Sequence, residues 1–259
     1  MIQFANEYTM PLVRQMWKVC FGDTDEFLDI LFKYKYKNEN TLICFEGDKA
    51  VASLQMLPYV ITFYGEEIPF AYLAGLCTLP EYRKRGYMGR LIHKAHEVIE
   101  ERGIPLSILV PAERRLYGFY EKYGYEKVFE KGDMPLYPLK KILDAHPDIG
   151  DAYRTYDGLF RNKDLCVQKT FTDFKAIVEE QIMDGFPEKY DIAGMARIMN
   201  AEFLVGLYAK RNPRAGANPE VKDIRFLCRL LFGYRTNELD EPYRSLFPPH
   251  QPVMNRMLE

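Results

Sequence analysis

One stretch of this sequence constrains the fold more than any other. An apolar run at residues 70–78 is followed by a basic loop that contains a glycine, and then by a segment with helical apolar spacing that reaches about residue 102. This pattern predicts a strand, a loop and a long helix. Backbone N–H groups at a helix start have no partner inside the helix, and the helix dipole adds partial positive charge there. The unit therefore favours the binding of phosphate groups at the helix start.

The loop has a composition that suits such a site. Gly86 lets the backbone approach a ligand closely, and four cationic side chains supply charge for a pyrophosphate and a ribose phosphate. A basic helix start after a strand is also common as a solvated turn, and a short glycine motif alone discriminates poorly. The residues that we predict to contact the phosphates of a ligand are Arg83, Lys84, Arg85, Gly86, Tyr87, Met88, Gly89 and Arg90.

A second pattern follows and decides between a phosphate-binding loop and a solvated turn. Residues 116–125 read Leu-Tyr-Gly-Phe-Tyr-Glu-Lys-Tyr-Gly-Tyr, five residues after a short apolar run at residues 106–110. The two patterns together resemble motifs A and B of the GNAT acetyltransferases. Residues 83–86 fit motif A, in which Gln or Arg is followed by two residues, Gly, one residue, and Gly or Ala. Met88 stands where Gly or Ala is usual, and a large apolar residue at that place is familiar in the enhanced-intracellular-survival (Eis-like) branch of the superfamily.

The resemblance implies an N-acetyltransferase that uses acetyl-CoA as co-substrate and needs no metal. A neutral primary amine would attack the thioester carbonyl directly in a ternary complex, without an acyl-enzyme. The backbone of Leu76, Cys77 and Thr78 would hold the pantetheine arm, and an N–H group of this stretch would polarise the carbonyl. Cys77 is interpreted as a packing or cofactor-lining residue, since no His lies near it in sequence.

The resemblance also implies a general acid. Tyr120 occupies the place of the family's tyrosine that stands near the CoA sulfur, where it can protonate the departing thiolate. The alternative role for Tyr120 is that of a core tyrosine. That structural role is expected for Tyr117, Tyr123 and Tyr125.

The general base is not evident from the sequence. Many relatives place a glutamate on the strand before motif A, but no Asp or Glu occurs between Pro69 and Pro80. The base must come from elsewhere, from Glu113, from a chain of water molecules, or from the C-terminal half. In the Eis-like branch the chain terminus supplies it, and apolar residues near the end of this sequence predict an ordered ending. Glu259 is therefore a candidate catalytic residue, through its terminal carboxylate or its side chain, with a frayed chain end as the alternative.

The periodicity elsewhere predicts a mixed α/β fold, with a mostly antiparallel sheet flanked by helices. Helices are expected at 10–21, 24–32, 113–123, 174–183, 192–208 and 224–232, and further strands at 41–45, 50–57, 59–63 and 125–129. The helix at 192–208 would present an apolar stripe of Ile192, Met195, Met199, Phe203 and Leu207.

The chain is expected to divide into two domains. Residues 1–135 are predicted to form the acetyl-CoA-binding catalytic domain. Residues 136–259 are predicted to form an abbreviated, mainly helical domain that resembles part of the sterol-carrier-like domain of Eis-like proteins.

Composition limits the partners. A net charge of -2 argues against a surface for nucleic acid, and no apolar run approaches the length of a membrane span. Five scattered cysteines read as reduced thiols, so the cytoplasm is the expected location. The acceptor, a small molecule or a protein amine, and the formation of a homo-oligomer are left open. The rival function is a non-catalytic acetyl-CoA sensor that regulates a partner.

Overall fold

The computed structural model describes residues 1–130, 139–186, 193–213, 221–254 and 256–257. Its helices are α1 (Met10–Phe21), α2 (Asp25–Tyr34), α3 (Tyr87–Glu101), α4 (Tyr117–Glu121), α5 (Leu139–Ala145), α6 (Ile149–Gly158), α7 (Phe171–Met183), α8 (Ala201–Arg211), α9 (Ile224–Leu231) and α10 (Tyr243–Leu246). Its strands are β1 (Ile2–Phe4), β2 (Thr41–Glu46), β3 (Lys49–Phe63), β4 (Glu66–Thr78), β5 (Leu106–Leu109), β6 (Glu126–Lys127), β7 (Cys166–Gln168) and β8 (Met195–Ile198).

These strands form a single sheet in the order β1-β2-β3-β4-β5-β8-β6, and β7 pairs with the far end of β3. Every pairing is antiparallel except that of β4 with β5. A parallel pair needs a crossover, and α3 supplies it on one face of the sheet. The predicted fold class, a mixed and mostly antiparallel sheet flanked by helices, is confirmed.

Helices cover both faces of the sheet. On one face, α3 and α4 pack on residues of β3 that include Leu54 and Met56. On the other face, α1 and α2 cover the end of the sheet near Cys77, while α8 and α9 cover the end near Ile61. This two-sided cover explains why β3 and β4 are apolar along most of their length.

Local signals set several helix boundaries correctly. Helix α1 has the bounds that its apolar spacing predicts. Helix α2 begins after Thr24, whose side chain accepts a hydrogen bond from the backbone N–H of Phe27. A capping box of Thr170 and Asp173 opens α7.

The interruption predicted at Pro58 is wrong. The runs at 50–57 and 59–63 are one strand, β3, which passes through Pro58. Pairing of β3 with β2 ends at Gln55, and pairing with β7 begins only at Val60. Pro58 falls between these two neighbours, where none of the described strands pairs with that edge of β3, so the missing N–H of proline is tolerated.

The helix predicted at 192–208 is also wrong in its first part. Met195–Ile198 is strand β8, and helix α8 starts only at Ala201, with Asn200 as its N-cap. Ile192, the first residue of the expected stripe, lies outside the described residues. Strand β8 fits between β5 and β6, and three of its four side chains are buried, so tertiary pairing overrides the helical spacing.

The sheet draws on residues from both sides of the expected domain boundary. Strands β7 and β8 come after residue 135 but pair with β3, β5 and β6, which come before it. Residue 135 itself lies outside the described residues, and the division into domains 1–135 and 136–259 stays a prediction. In the described part of the chain, no helix is both long and apolar enough to cross a membrane.

Candidate active site

Strand β4 carries a β-bulge close to its C-terminal end. Ala74 pairs with Gln55 and Cys77 with Ser53, so Gly75 and Leu76 together oppose a single residue of β3. Gly75 has φ of 57°, which favours glycine. A side-chain carbon at this position would lie 2.1 Å from ring carbon Cζ2 of Trp17. The bulge therefore depends on Gly75 twice, for its backbone conformation and for the packing of α1.

Beyond the bulge, β4 runs on without its parallel neighbour. Pairing of β4 with β5 covers Ala71 and Tyr72, whereas β4 continues to Thr78. Residues 73–78 thus have no strand partner on that edge in the part of the chain that the structure describes. Backbone N–H and C=O groups on an open strand edge can pair with an extended ligand in the way a further strand would. This segment contains Leu76, Cys77 and Thr78, the residues predicted to hold the pantetheine arm.

The loop after β4 leads directly into the start of α3. Lys84 has φ of 63° and Gly86 has φ of 81°, and Gly86 is the N-cap of α3. No side chain caps this helix start, and the carbonyl of Gly86 accepts the first helical hydrogen bond, from the N–H of Arg90. The N–H groups of the first turn are left without an intrahelical partner, which is the arrangement that binds anions.

The cations of this loop are exposed, although Arg83 Nε also donates to the Thr78 carbonyl oxygen at 3.1 Å. Arg83, Lys84, Arg85 and Arg90 are all exposed. The Arg85 guanidinium lies 5.1 Å from the ring centre of Tyr82 and makes a loose contact of 3.7 Å with Glu46. An exposed ion pair at that distance contributes little, so the positive charge is available to a phosphate.

Gly89 has a structural task. A side-chain carbon at Gly89 would lie 2.4 Å from the Tyr123 hydroxyl, so glycine is what allows the end of α4 to approach α3. Met88, where the family usually has Gly or Ala, is half-buried and packs against the core under α3. Gly89, one residue after the place where the family has Gly or Ala, therefore serves the packing of helices here.

Tyr120 is buried in a core cluster that includes residues of β4 and β5. It is 6% exposed and packs in one cluster with Leu73 of β4 and Leu109 of β5. Its hydroxyl makes no hydrogen bond to any of the described residues, and burial raises the pKa of Tyr120 to about 12. The phenol is therefore protonated at neutral pH and free to donate to a ligand.

Two neighbouring tyrosines differ from Tyr120 in that their hydroxyl groups have hydrogen-bond partners. The Tyr117 hydroxyl donates to the carbonyl oxygen of Ala193 at 2.8 Å. The Tyr125 hydroxyl shares a hydrogen bond with Ser107 Oγ at 2.7 Å. These contacts fit the structural role expected for them.

The two candidate residues for the general base have less structural support than Tyr120 has as the general acid. Glu113 is exposed, and its hydrogen bond with Arg115 lowers the pKa of the Glu113 carboxyl. Glu259 lies outside the described residues. Met257, two residues before it, is fully buried in the cluster that contains Tyr72 and Ala74 of β4, and the Lys169 Nζ lies 3.1 Å from its sulfur. The last described residues are therefore anchored in the core, where Val253 pairs with Cys166 and Lys169 contacts Met254 and Met257.

Several buried polar groups on the face of the sheet that α1 and α2 cover were not anticipated from the sequence. The Trp17 indole N–H and both polar atoms of the Gln55 amide are buried without a hydrogen-bond partner among the described residues. Further along the same face, Lys35 and Asp173 form a buried ion pair. Gln55 stands out as a polar residue in an apolar strand, but no sequence signal pairs residue 35 with residue 173. Among the described residues, no group of three or more His, Cys, Asp or Glu could hold a metal ion.

Comparison with known proteins assigns the N-terminal half. Residues 1–128 match the sequence profile described as acetyltransferase (GNAT) domain. These residues are therefore a GNAT acetyltransferase domain, and this part of the chain belongs to the GNAT family. No protein with a curated function matches the sequence significantly.

Solved structures show the same fold. A GCN5-related N-acetyltransferase from Anabaena variabilis aligns with a TM-score of 0.52 at 21% identity, over 68% of this chain and 47% of that one. A protein from Enterococcus faecalis described as a probable N-acyltransferase aligns with a TM-score of 0.53 at 15% identity, with the same coverage. This chain thus spans about half the length of these two structures.

One match concerns the predicted branch. Eis1 from Mycobacterium abscessus aligns with a TM-score of 0.40 at 18% identity, over 50% of this chain and 32% of that one. A likeness of this size carries no argument, and membership of the Eis-like branch stays a prediction.

Proposed function

We propose that this protein transfers an acetyl group from acetyl-CoA to a primary amine. The observation that carries the proposal is the continuity of two surfaces, the open edge of β4 at residues 73–78 and the uncapped, cationic start of α3. CoA has a chain of amides that ends in a pyrophosphate, so its two halves match these surfaces in order.

In this proposal the backbone of Leu76, Cys77 and Thr78 pairs with the pantetheine amides. The pyrophosphate binds the N–H groups at the start of α3, with charge from the arginines and lysine of the loop at 83–90. The β-bulge turns a backbone N–H toward the thioester carbonyl, where it would stabilise the oxyanion that forms. No metal is required in this scheme.

The chemical step is a direct transfer. The neutral amine attacks the thioester carbon, the C–S bond breaks as the C–N bond forms, and the CoA sulfur leaves with the electron pair. Tyr120 donates its phenolic proton to that sulfur, and a base removes the proton that the attacking nitrogen loses. The burial of the Tyr120 residue, with a hydroxyl that has no partner among the described residues, supports this role.

For the base we propose Glu259. The support is the burial of Met257, two residues before Glu259, and the unfavourable setting of Glu113. The acceptor is a small molecule or a protein amine. The free state of all five thiols suits a reducing compartment, and we propose the cytoplasm as the site of action.

The test is an assay of CoA thiol release from acetyl-CoA against a panel of amines, made with direct measurement of CoA binding by calorimetry. Release that depends on one class of amine, together with the N-acetyl product in the mass spectrum, is the expected result. CoA binding without release across the whole panel would contradict the transferase and favour the sensor. Absence of CoA binding would contradict both.

A further inference from the structure

A cleft of about 480 Å³ lies at the turn between β3 and β4. Four parts of the chain line it: the turn at 64–65, the loop at 161–164, the end of α8 at 211–212, and the segment around residue 250. The turn belongs to the first half of the sequence and the other three parts to the second. The cleft therefore exists only in the folded chain, where these distant segments pack together.

The cleft is remote from the proposed acetyl-CoA site. Strand β4 begins at Glu66, directly after the turn, and carries its bulge at Gly75. At the usual rise of about 3.3 Å per residue, roughly 30 Å separate these two positions. A ligand in the cleft would therefore not contact the thioester of acetyl-CoA.

Two oppositely charged side chains contact the same glycine of the turn. The N–H of Gly65 donates to Asp164 Oδ1 at 3.2 Å. A side-chain carbon at Gly65 would lie 2.7 Å from Arg211 Cζ, so the guanidinium rests directly on the glycine backbone. Asp164 and Arg211 nevertheless form no ion pair with each other or with any other described residue. The turn thus holds a positive and a negative charge close together without joining them.

Backbone groups hold both side chains and leave each with hydrogen-bonding capacity to spare. Arg211 Nε donates to the carbonyl oxygen of Tyr64 at 3.1 Å, and the two terminal nitrogens have no acceptor among the described residues. Asp164 Oδ1 also accepts from the N–H of Leu165 at 3.1 Å, and Oδ2 has no donor among the described residues. Free guanidinium nitrogens suit a carboxylate, and a free carboxylate oxygen suits an ammonium group.

The other titratable side chains of the cleft add no net charge. Arg161 is paired with Glu67 at 2.6 Å and with Asp157. Burial lowers the pKa of His250 below 6.5, against the opposing effect of Asp164, so the imidazole is neutral near pH 7. One positive and one negative charge remain uncompensated. Asp164 would repel a phosphate, whereas a zwitterion would meet an opposite charge at each end.

We propose that this cleft binds a free α-amino acid, with its carboxylate on Arg211 and its ammonium group on Asp164. The two charged groups of such a ligand are joined through a single carbon atom, so their partners must be close neighbours that do not neutralise each other. Asp164 and Arg211 meet this condition because both contact Gly65. Binding in the cleft is independent of acetyl transfer, because the two sites lie at opposite ends of β4.

Calorimetry on the folded full-length chain tests this binding, with the standard L-amino acids titrated one at a time in the absence of CoA. We expect at least one of them to bind with a Kd of about 1 mM or lower, an affinity suited to exposed charges. Its N-acetyl derivative lacks the positive charge and its carboxamide lacks the negative one, so each should bind at least about tenfold more weakly. If no amino acid binds at up to about 10 mM, or if both derivatives bind equally well, the proposal is overturned.

Two variants locate the ligand. Arg211→Gln removes the positive partner, and Asp164→Asn removes the negative one while keeping an oxygen that can accept from the N–H of Gly65. Each should weaken binding of the best amino acid at least about tenfold. The matched control Lys210→Gln removes a positive charge from the neighbouring exposed residue, which does not line the cleft, and should leave the affinity unchanged.

Two outcomes of the variant series would overturn the proposal. Full affinity in both Arg211→Gln and Asp164→Asn would place the amino acid elsewhere, for example at the acceptor site. An equal loss in Lys210→Gln would reveal an unspecific effect of charge. The comparison of the blocked derivatives needs only the unmodified protein, so the proposal can fail even if a variant does not fold.

Discussion

The indole ring of Trp17 lies against the backbone of Gly75, so that a single added carbon at Gly75 would approach the ring to 2.1 Å. This contact ties the first helix to the bulge of β4, at the start of the open edge proposed to hold pantetheine. Gly75 has φ of 57°, so any side chain would add backbone strain to the steric clash.

Gly75→Ala is therefore expected to lower the free energy of unfolding by about 3 kcal/mol, and to weaken CoA binding in the fraction that folds. Chemical denaturation and calorimetry measure the two effects. Gly206→Ala is the matched control, because Gly206 lies in α8 with open space around it. That variant should be unchanged or more stable by up to about 1 kcal/mol. Equal stability of the two variants would mean that the bulge does not need glycine.

Gly86→Val is expected to abolish measurable CoA binding. Gly86 has φ of 81° at the start of α3, and a branched side chain there would shift the N–H groups that we propose bind the pyrophosphate. Gly103 offers a close control, since it follows the other end of α3 with φ of 66° and has equally open surroundings. Gly103→Val should carry a similar conformational cost and still bind CoA. Retained affinity in Gly86→Val would remove the loop from the binding site.

Tyr120→Phe is expected to reduce kcat by roughly 10²-fold, the effect of losing a positioned proton donor, with CoA affinity nearly unchanged. Tyr117→Phe is the matched control. It loses a hydrogen bond to the Ala193 carbonyl, which should cost about 1 kcal/mol of stability and leave kcat almost intact. Steady-state kinetics at saturating acetyl-CoA separate the two. Full turnover in Tyr120→Phe would assign the residue to the core only.

His96 predicts a pH dependence of stability. Burial, with smaller contributions from Arg197 and His93, lowers the pKa of His96 from 6.5 to about 3. Above pH 6.5 the imidazole is neutral in both the folded and the unfolded chain. Below pH 6.5 the unfolded chain binds a proton that the folded one excludes until about pH 3. Stability should therefore fall as the pH is lowered through this window, by at most about 1.4 kcal/mol per pH unit from this residue.

The variant His96→Gln isolates that contribution. Its free energy of unfolding, measured between pH 7 and pH 5, should show a flatter profile than that of the unmodified chain. His93→Gln, an exposed change on the same helix, should reproduce the unmodified slope. Parallel profiles for His96→Gln and the unmodified chain would show that His96 is protonated in the folded state.

Removal of Leu258 and Glu259 tests the proposed base. Turnover should fall, while CoA binding stays intact, because the buried Met257 would still anchor the preceding segment. Glu259→Gln separates the side chain from the terminal carboxylate, because it neutralises only the former. If the deletion variant retains full turnover, neither the side chain nor the terminal carboxylate of Glu259 is the base, and a chain of water molecules becomes the candidate.

The sequence determined the parts of this protein whose signals are local. The apolar spacing of α1, the Thr24 cap of α2 and the glycine-containing start of α3 at Gly86 each depend on residues within one or two turns of each other. The motif around Tyr120 gave the family in the same way, and the match over residues 1–128 confirms it.

Tertiary structure decided whatever depends on distant partners. The short run Met195–Ile198 could form a helix or a strand, and it became β8 because β5 and β6 leave room for it. Pro58 stays within a strand because its neighbours on one edge end and begin on either side of it. The contact of Trp17 with Gly75 and the hydrogen bond of the Cys20 thiol to the Thr78 carbonyl join segments that no periodicity relates. Periodicity fixes the direction of a side chain along its own element, whereas only the packed sheet fixes what that side chain meets.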